Sequence, residues 1–312
     1  MFRYKIYGLN IDSEVELIQL EKGDEGSFAD VLIRQGDCKS EVISYLQEKD
    51  ATKRRYDIGL DYSCFENKGG FYVIRAGREI IFECREGYSP AMVSGWILGY
   101  AMAMLLLQKK TLAIHCSGVV IPDKGNNNEF VPAGAVLISG VSGAGKSSLT
   151  RKLLERGYRI MADDVAAVKF DGEKDMVFPA FPYQKLCRNE VDSRKLDHDG
   201  LIYIDEDKDK FLVPVGDVFV SEPQPLKLMA FLTVGDVKEV TIRKLTGFEQ
   251  FLGFNNSLLL KVLKGPWENY PEVINLSMKL ASKCPVYQIV RPFEGDSQDI
   301  IADKLETIIS EL

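Results

Sequence analysis

The sequence lacks the residue patterns of disulfide-rich and zinc-binding proteins. Its six cysteines are scattered, none forms a Cys-x-x-Cys pair, and the two histidines are His115 and His198. This distribution argues against a zinc site and favours reduced thiols in a cytoplasmic protein. The N-terminus also lacks the apolar segment of a signal peptide.

The chain also has no excess of basic residues. The chain has 39 Lys and Arg against 46 Asp and Glu over 312 residues, for a net charge of −7. This balance argues against a large nucleic-acid-binding surface. Hydrophobic residues make up 46% and charged residues 27% of the chain, which is typical of a globular protein and excludes a fibrous or disordered one. The length suits one large or two ordinary domains.

Long apolar runs are rare, but residues 87–108 contain no charged side chain. A run of that length could span a bilayer. Ser89 and Pro90 suit the start of a helix, and Lys109 and Lys110 suit its end. The run also contains glycines and polar residues. We therefore favour a buried helix of a protein that does not span a membrane.

The coarse organisation predicts an α/β protein with a β-rich N-terminal domain. The first 85 residues are rich in aromatic and β-branched residues separated by Gly and Asp breaks, while residues 40–48 suit either helix or strand. A boundary near Lys110 divides the chain into an N-terminal domain, 1–110, ending in the buried helix, and a second domain, 111–312. Residues 123–128 predict a turn, and the acidic run 205–209 lacks the glycine and glutamate of a calcium loop.

The strongest chemical signal is the sequence Gly140-Val141-Ser142-Gly143-Ala144-Gly145-Lys146-Ser147. It fits Gly-x-x-x-x-Gly-Lys-Ser/Thr, the Walker A pattern, and it lies between an apolar strand at 135–138 and an amphipathic helix at 146–156. Glycines let backbone N–H groups approach a triphosphate, Lys146 supplies a positive charge, and the Ser147 hydroxyl suits a Mg²⁺ ligand. The predicted nucleotide-binding residues are Gly140, Ser142, Gly143, Ala144, Gly145, Lys146, Ser147 and Ser148.

Two adjacent acids, Asp163 and Asp164, end the next predicted strand, 158–162. In a parallel α/β sheet this strand end lies at the same edge as the phosphate-binding loop. One acid could hold Mg²⁺ while the other accepts the proton of an attacking hydroxyl. His115 lies between two apolar runs and, taken alone, suits a structural role.

Three segments together are similar to the HPr kinase/phosphorylase catalytic domain. They are residues 112–119 with His115, the loop 140–147, and residues 156–164 with the acid pair. Residues 4–14, 178–186 and 210–214 resemble segments of the HPr-kinase-related proteins, some of which phosphorylate a serine of lasso-peptide precursors. Lys185 stands at the basic position of their Pro-x-x-Arg-Leu segment.

This resemblance implies a P-loop kinase domain of the HPr kinase and phosphoenolpyruvate carboxykinase type. It implies that Asp163 is the base and Asp164 the acid on the metal side, although the two roles could be reversed. It also makes His115 a candidate catalytic residue, in addition to Lys146. Lys185 becomes a candidate substrate-binding residue. The Glu-x-Arg-Gly signature of true HPr kinases is absent after the acid pair, which argues against phosphorylase activity and against HPr as the substrate.

The sequence therefore predicts a cytoplasmic kinase that uses ATP and Mg²⁺. The expected acceptor is a serine hydroxyl of a peptide or protein, with a small alcohol as an alternative. A regulatory protein that binds nucleotide without transferring phosphate is the alternative from another class. Neither nucleic acid nor membrane is expected as a partner, and a homo-oligomer is left open.

Overall fold

The computed structural model describes residues 1–24, 26–123, 130–204 and 209–312. The described chain is mixed α/β with several sheets and divides into two compact units. Unit 1 comprises Met1–Ala113, Lys185–Val213 and Leu259–Asn275, and unit 2 comprises Ile114–Gln184, Pro214–Leu258 and Leu276–Leu312. The boundary near residue 110 lies close to the first of these divisions, but the prediction of contiguous domains did not include the return of the chain to unit 1. Most of the predicted turn at 123–128 and of the acidic run 205–209 lies outside the described residues.

The secondary structure follows the predicted β-rich N-terminal part and the strand–loop–helix context of the glycine-rich loop. Residues 40–48, whose sequence suits helix or strand, are helical. The helices are α1 (Lys39–Glu48), α2 (Pro90–Trp96), α3 (Met102–Gln108), α4 (Lys146–Glu155), α5 (Arg188–Ser193), α6 (Gly247–Asn256), α7 (Pro271–Lys283) and α8 (Gln298–Ser310). The strands are β1 (Phe2–Ile6), β2 (Leu9–Ser13), β3 (Glu21–Lys22), β4 (Val31–Gln35), β5 (Tyr56–Asp57), β6 (Tyr62–Glu66), β7 (Gly70–Arg75), β8 (Glu79–Cys84), β9 (Leu112–Pro122), β10 (Pro132–Gly140), β11 (Arg159–Ala162), β12 (Val165–Phe170), β13 (Asp175–Phe178), β14 (Tyr183–Cys187), β15 (Ile202–Ile204), β16 (Lys210–Pro214), β17 (Gln224–Val234), β18 (Thr241–Leu245) and β19 (Val286–Arg291).

Unit 1 is built on an eight-stranded sheet in the order β3-β1-β2-β4-β8-β7-β6-β5. Strand β7 is buried along most of its length. Because side chains alternate along a strand, Phe71 and Val73 pack with Val42 and Leu46 of α1 on one face. Tyr72 and Ile74 are fully buried as well. The sheet is therefore covered on both faces at this strand.

The charge-free run forms one continuous helical segment in unit 1. Ser89 Oγ accepts a hydrogen bond from Met92 N at 3.4 Å and Pro90 takes the first helical position, as the sequence predicts. A single π-helical turn, Ile97–Ala101, separates α2 from α3, and the side chains of α3 from Met102 to Leu107 are buried. In the described part of the chain, Pro90–Gln108 alone is long and apolar enough to cross a membrane, by length and composition only. The absence of a membrane partner stays a prediction.

Unit 2 carries the glycine-rich loop at one edge of its sheet. The sheet also contains β12 and β13, and part of it has the strand order β11-β9-β10-β17-β19-β18, in which β10, β17 and β19 run parallel. Strand β9 runs antiparallel to both β10 and β11, so β11 has the direction of β10 and ends at the same edge. The sheet is therefore mixed rather than parallel, but the acids still follow a strand that ends beside the loop. Helices α4 and α8 cover one face with Leu149, Leu153, Ile301 and Leu305.

Asp175 in β13 gives a prediction about stability and pH. Its side chain is buried, and among the described residues Oδ1 has no hydrogen-bond partner. Burial raises the pKa of this carboxyl above its ordinary value, and Lys283 and Lys279 oppose the rise only in part. A raised pKa means that the charged form destabilises the fold above that pKa and that this penalty disappears in acid. We therefore expect Asp175→Asn to raise the thermal unfolding midpoint at pH 7 but not below about pH 3.9, the ordinary pKa. An equal loss of stability at both pH values would contradict this.

Candidate active site

The loop between β10 and α4 has a backbone that requires glycine. Gly140, Gly143 and Gly145 have φ angles of 148°, 80° and 102°, in the region that side chains disfavour. A Cβ at Gly140 would lie 2.1 Å from the carbonyl oxygen of Leu232 in β17. No side chain could be accommodated there without moving that strand.

The start of α4 provides the N–H groups that could bind an anion. Gly145 precedes the helix, and its carbonyl oxygen accepts from Leu149 N at 2.9 Å. The first N–H groups of a helix have no intrahelical acceptor and carry a partial positive charge. Lys146, Ser147 and Ser148 form this first turn, and Ser142 and Gly143 are exposed in the loop. Ala144, by contrast, is buried in the core of unit 2.

The ammonium group of Lys146 folds back over the loop. Lys146 Nζ donates to the carbonyl oxygen of Gly140 at 2.8 Å and to that of Val141 at 3.3 Å. The charge therefore lies at the point where the chain leaves β10. Since the ammonium has three donors on a flexible stem, an anion in the loop would compete with these carbonyl oxygens for it.

Asp163 is a buried acid that accepts a hydrogen bond from a side chain of β9. The residue is 6% exposed, and Ser117 Oγ donates to Asp163 Oδ1 at 3.0 Å. Ser117 lies in β9 next to Gly118, which pairs with Ala162 at the end of β11. The register of this antiparallel pair therefore sets the position of the carboxylate.

Asp164 has a left-handed backbone with φ of +70°, which is uncommon for a residue other than glycine. Its carbonyl oxygen accepts from Cys116 N at 3.2 Å and lies 2.9 Å from His115 Nδ1. Because a carbonyl oxygen only accepts, Nδ1 carries the proton, and in the neutral imidazole Nε2 is an unprotonated acceptor. His115 Nδ1 also lies 3.4 Å from Asp164 Oδ1.

Cys116, which follows His115 in β9, is fully buried. Burial raises the pKa of its thiol, the carboxylates of Asp163 and Asp164 add to the rise, and the ammonium of Lys146 opposes it. The pKa of this thiol therefore depends on three of the predicted charged residues. The glycine-rich loop and the acid pair both follow strands that end at one edge of the sheet of unit 2, while the chemical roles of these residues stay predictions.

Two serines that the sequence analysis missed hold the backbone of His115. Ser139 Oγ donates to the carbonyl oxygen of His115 at 2.9 Å and lies 2.9 Å from Ser257 Oγ. The carbonyl oxygen of Ser257 accepts from His115 N at 2.7 Å. Ser139 precedes the glycine-rich loop directly, but Ser257 follows α6, and no local pattern connects it to the site.

The sequence analysis also missed Arg291, the last residue of β19. Arg291 Nε donates to the carbonyl oxygen of Ala144 at 2.8 Å, and Nη2 donates to that of Gly143 at 3.2 Å. Nη1 donates to the carbonyl oxygen of Pro292 at 2.9 Å. The guanidinium therefore holds two loop carbonyls, and it places a permanent positive charge beside the loop.

Replacing Arg291 by methionine should weaken anion binding in the loop. The substitution removes a permanent positive charge beside the loop and the donors that hold two of its carbonyl oxygens, so the Kd for inorganic tripolyphosphate should rise about tenfold. Isothermal titration calorimetry measures this change. Arg243→Met is the matched control, because Arg243 lies in the adjacent strand β18 and pairs with the exposed Glu249. An unchanged Kd in Arg291→Met would show that the loop holds its shape without the guanidinium.

The candidate substrate residue Lys185 lies in β14 and belongs to unit 1, whereas the glycine-rich loop belongs to unit 2. Its assignment to substrate binding stays a prediction. The resemblance of the 178–186 segment remains its only support.

The site offers oxygen donors for a metal ion. The described residues contain no group of three or more His, Cys, Asp and Glu that could hold a metal ion. Mg²⁺ needs no such group, since in nucleotide sites it is held by one or two protein oxygens together with phosphate oxygens and water. The hydroxyl of Ser147 and the carboxylate of Asp164 are donors of the required kind, so the residues present fit a nucleotide-bound Mg²⁺.

No family model matches the chain. No curated protein matches it either. Among solved structures, the chain is similar to the HPr(Ser) kinase/phosphatase from Coxiella burnetii, with 17% identity over 64% of this chain and 94% of that one and a TM-score of 0.30. A similarity this distant does not establish a family or an activity for this chain.

Proposed function

We propose that the protein is a Mg-ATP-dependent phosphotransferase that transfers the γ-phosphoryl group to a hydroxyl. The observation that carries the proposal is the placement of a buried carboxylate, Asp163, at the edge of the sheet where the glycine-rich loop leaves β10. A loop of this kind binds the phosphates. A carboxylate beside it supplies the proton acceptor that transfer to an alcohol requires.

The residues divide the reaction between binding and proton transfer. The loop and the first turn of α4 would bind the phosphates through backbone N–H groups, and Lys146 would move from the loop carbonyls to the terminal phosphates. Ser147 and Asp164 would hold Mg²⁺, which neutralises phosphate charge when bound. As the acceptor oxygen bonds to the γ-phosphorus and the bond to ADP breaks, Asp163 would take the hydroxyl proton.

Ser117 supports this role of Asp163. Its hydroxyl donates to Oδ1, which restricts the rotation of the carboxylate. Placing a base in one orientation lowers the entropic cost of reaching the reactive geometry. Asp164 stays the metal-side acid in this proposal, as the family resemblance implies.

The proposed acceptor is a serine of a peptide or protein, on the resemblance described above. A peptide digest and a panel of small alcohols, each incubated with γ-labelled ATP and Mg²⁺ and analysed by mass spectrometry, test this choice. Phosphoserine in peptides supports it, and phosphorylated alcohols alone would replace it with a small-molecule kinase. ATP binding without any transfer would favour the regulatory nucleotide-binding protein.

The proposed setting is a reducing cytoplasm, without a nucleic-acid or membrane partner. The structure records all six cysteines as free thiols, and the net charge of −7 disfavours phosphate backbones as partners. A homo-oligomer remains an alternative that light scattering would detect.

His115→Asn separates two roles of the histidine. The Asn amide can take the place of Nδ1–H and donate to the Asp164 carbonyl oxygen, but it has no counterpart of Nε2. If Nε2 acts on the phosphoryl group or the acceptor, we expect kcat to fall about tenfold to a hundredfold with the unfolding midpoint unchanged. His115→Gln, which keeps a polar group nearer Nε2, is the comparison. Full activity in His115→Asn would limit the histidine to supporting the turn at Asp164.

A further inference from the structure

The segment that joins β19 to α8, residues 292–297, is flanked by two residues that lie close to the glycine-rich loop. At its start, Arg291 donates to the carbonyl oxygens of Gly143 and Ala144. At its end, a Cβ at Gly145 would lie 3.3 Å from Gln298 Nε2 and 3.4 Å from Arg291 Nε. The two residues that flank the segment therefore both lie against the loop, and the segment stands beside it.

This segment exposes a large apolar side chain. Phe293 is 70% exposed, and it follows Arg291 by two residues, so their Cα atoms are at most about 7 Å apart. Single exposed apolar residues are common on protein surfaces, but this one is two residues from the arginine that contacts the loop that would hold the phosphates. In open α/β sheets, ligands bind at the carboxyl ends of the strands, which is the edge where β19 ends.

We propose that Phe293 stacks on the base of the bound nucleotide and makes residues 292–297 the nucleoside-binding segment. The proposal rests on the proposed function, since the phosphates must occupy the loop. Every nucleobase has an apolar face on which an aromatic ring can stack, regardless of the hydrogen-bonding groups at the edge of the base. Phe293 would therefore favour a nucleoside triphosphate over inorganic triphosphate without choosing between ATP and GTP.

The test compares ligands with and without a base. Isothermal titration calorimetry of the full chain with ATP, GTP and inorganic tripolyphosphate, each with Mg²⁺, gives three Kd values per variant. In Phe293→Ala we expect the Kd for ATP and GTP to rise about fivefold to a hundredfold, the range of one base stacked on an aromatic ring. The Kd for tripolyphosphate should change less than twofold. Phe293→Tyr, which keeps an aromatic ring, should bind both nucleotides like the wild type.

Phe248→Ala is the matched control. Phe248 is 71% exposed and lies in unit 2 as well. It follows Leu245, which pairs with Val286 at the start of β19, so it lies at the opposite edge of the sheet. This variant should bind all three ligands like the wild type.

The outcomes separate this inference from the proposed function. Unchanged ATP binding in Phe293→Ala, or an equal loss for ATP and tripolyphosphate, overturns the stacking role while leaving the kinase proposal intact. Selective loss of nucleotide binding in a protein that transfers no phosphate supports the stacking role and rejects the kinase. A wild-type chain that binds neither ATP nor tripolyphosphate rejects both.

Discussion

Asp163→Asn is expected to lower the rate of phosphoryl transfer about 10²- to 10⁴-fold, the usual contribution of a general base. Asparagine has nearly the same shape, and its oxygen can still accept the hydrogen bond that Ser117 Oγ donates to Oδ1. The fold and the Kd for ATP should therefore change little. Transfer of γ-labelled phosphate under single-turnover conditions, together with calorimetric ATP binding, measures the two quantities separately.

Two further variants sharpen this result. Ser117→Ala leaves the carboxylate in place but removes its donor, so we expect a smaller loss of rate than in Asp163→Asn. Asp171→Asn makes the same change in the exposed turn before β13 and should leave transfer unchanged. Full transfer in Asp163→Asn would rule out the carboxylate as the base, and equal losses in Asp163→Asn and Asp164→Asn would leave the assignment of base and metal ligand undecided between them.

Lys146→Ala is expected to reduce kcat/KM for transfer about 10²- to 10³-fold, as for removal of one group that stabilises developing charge. The ammonium would otherwise neutralise charge on the terminal phosphates as the bond to ADP breaks. In the structure the same group donates to the carbonyl oxygens of Gly140 and Val141. The substitution can therefore also loosen the loop, and thermal unfolding must be measured alongside transfer.

Lys152→Ala is the matched control for this experiment. Lys152 lies in the same helix, where it pairs with Glu155 and Asp299, and its removal should not affect transfer. A lower unfolding midpoint with normal transfer in Lys146→Ala would assign the lysine to the loop backbone only. Loss of transfer with a normal midpoint supports its action on the phosphates.

The glycine-rich loop could be predicted from the sequence because its determinants are local. Three glycines with positive φ, an apolar strand before them and an amphipathic helix after them all lie within residues 132–155. The acid pair followed from the same logic, since Asp163 and Asp164 come directly after a short apolar strand. The left-handed backbone of Asp164 was not foreseen, because its carbonyl partners His115 and Cys116 belong to another strand.

The sequence by itself therefore determined the glycine-rich loop, the two acids and the capped apolar helix. It also determined the mixed α/β class. It did not determine the assembly of the site, because that depends on which strands pair and in which register. Insertion of β9 between β10 and β11 brings Ser117 to Asp163, and the parallel pairing of β17 with β19 brings Arg291 to a loop about 147 residues earlier. The pairing of distant strands depends on the packing of the whole unit. A short sequence pattern therefore does not predict which strands pair or in which register.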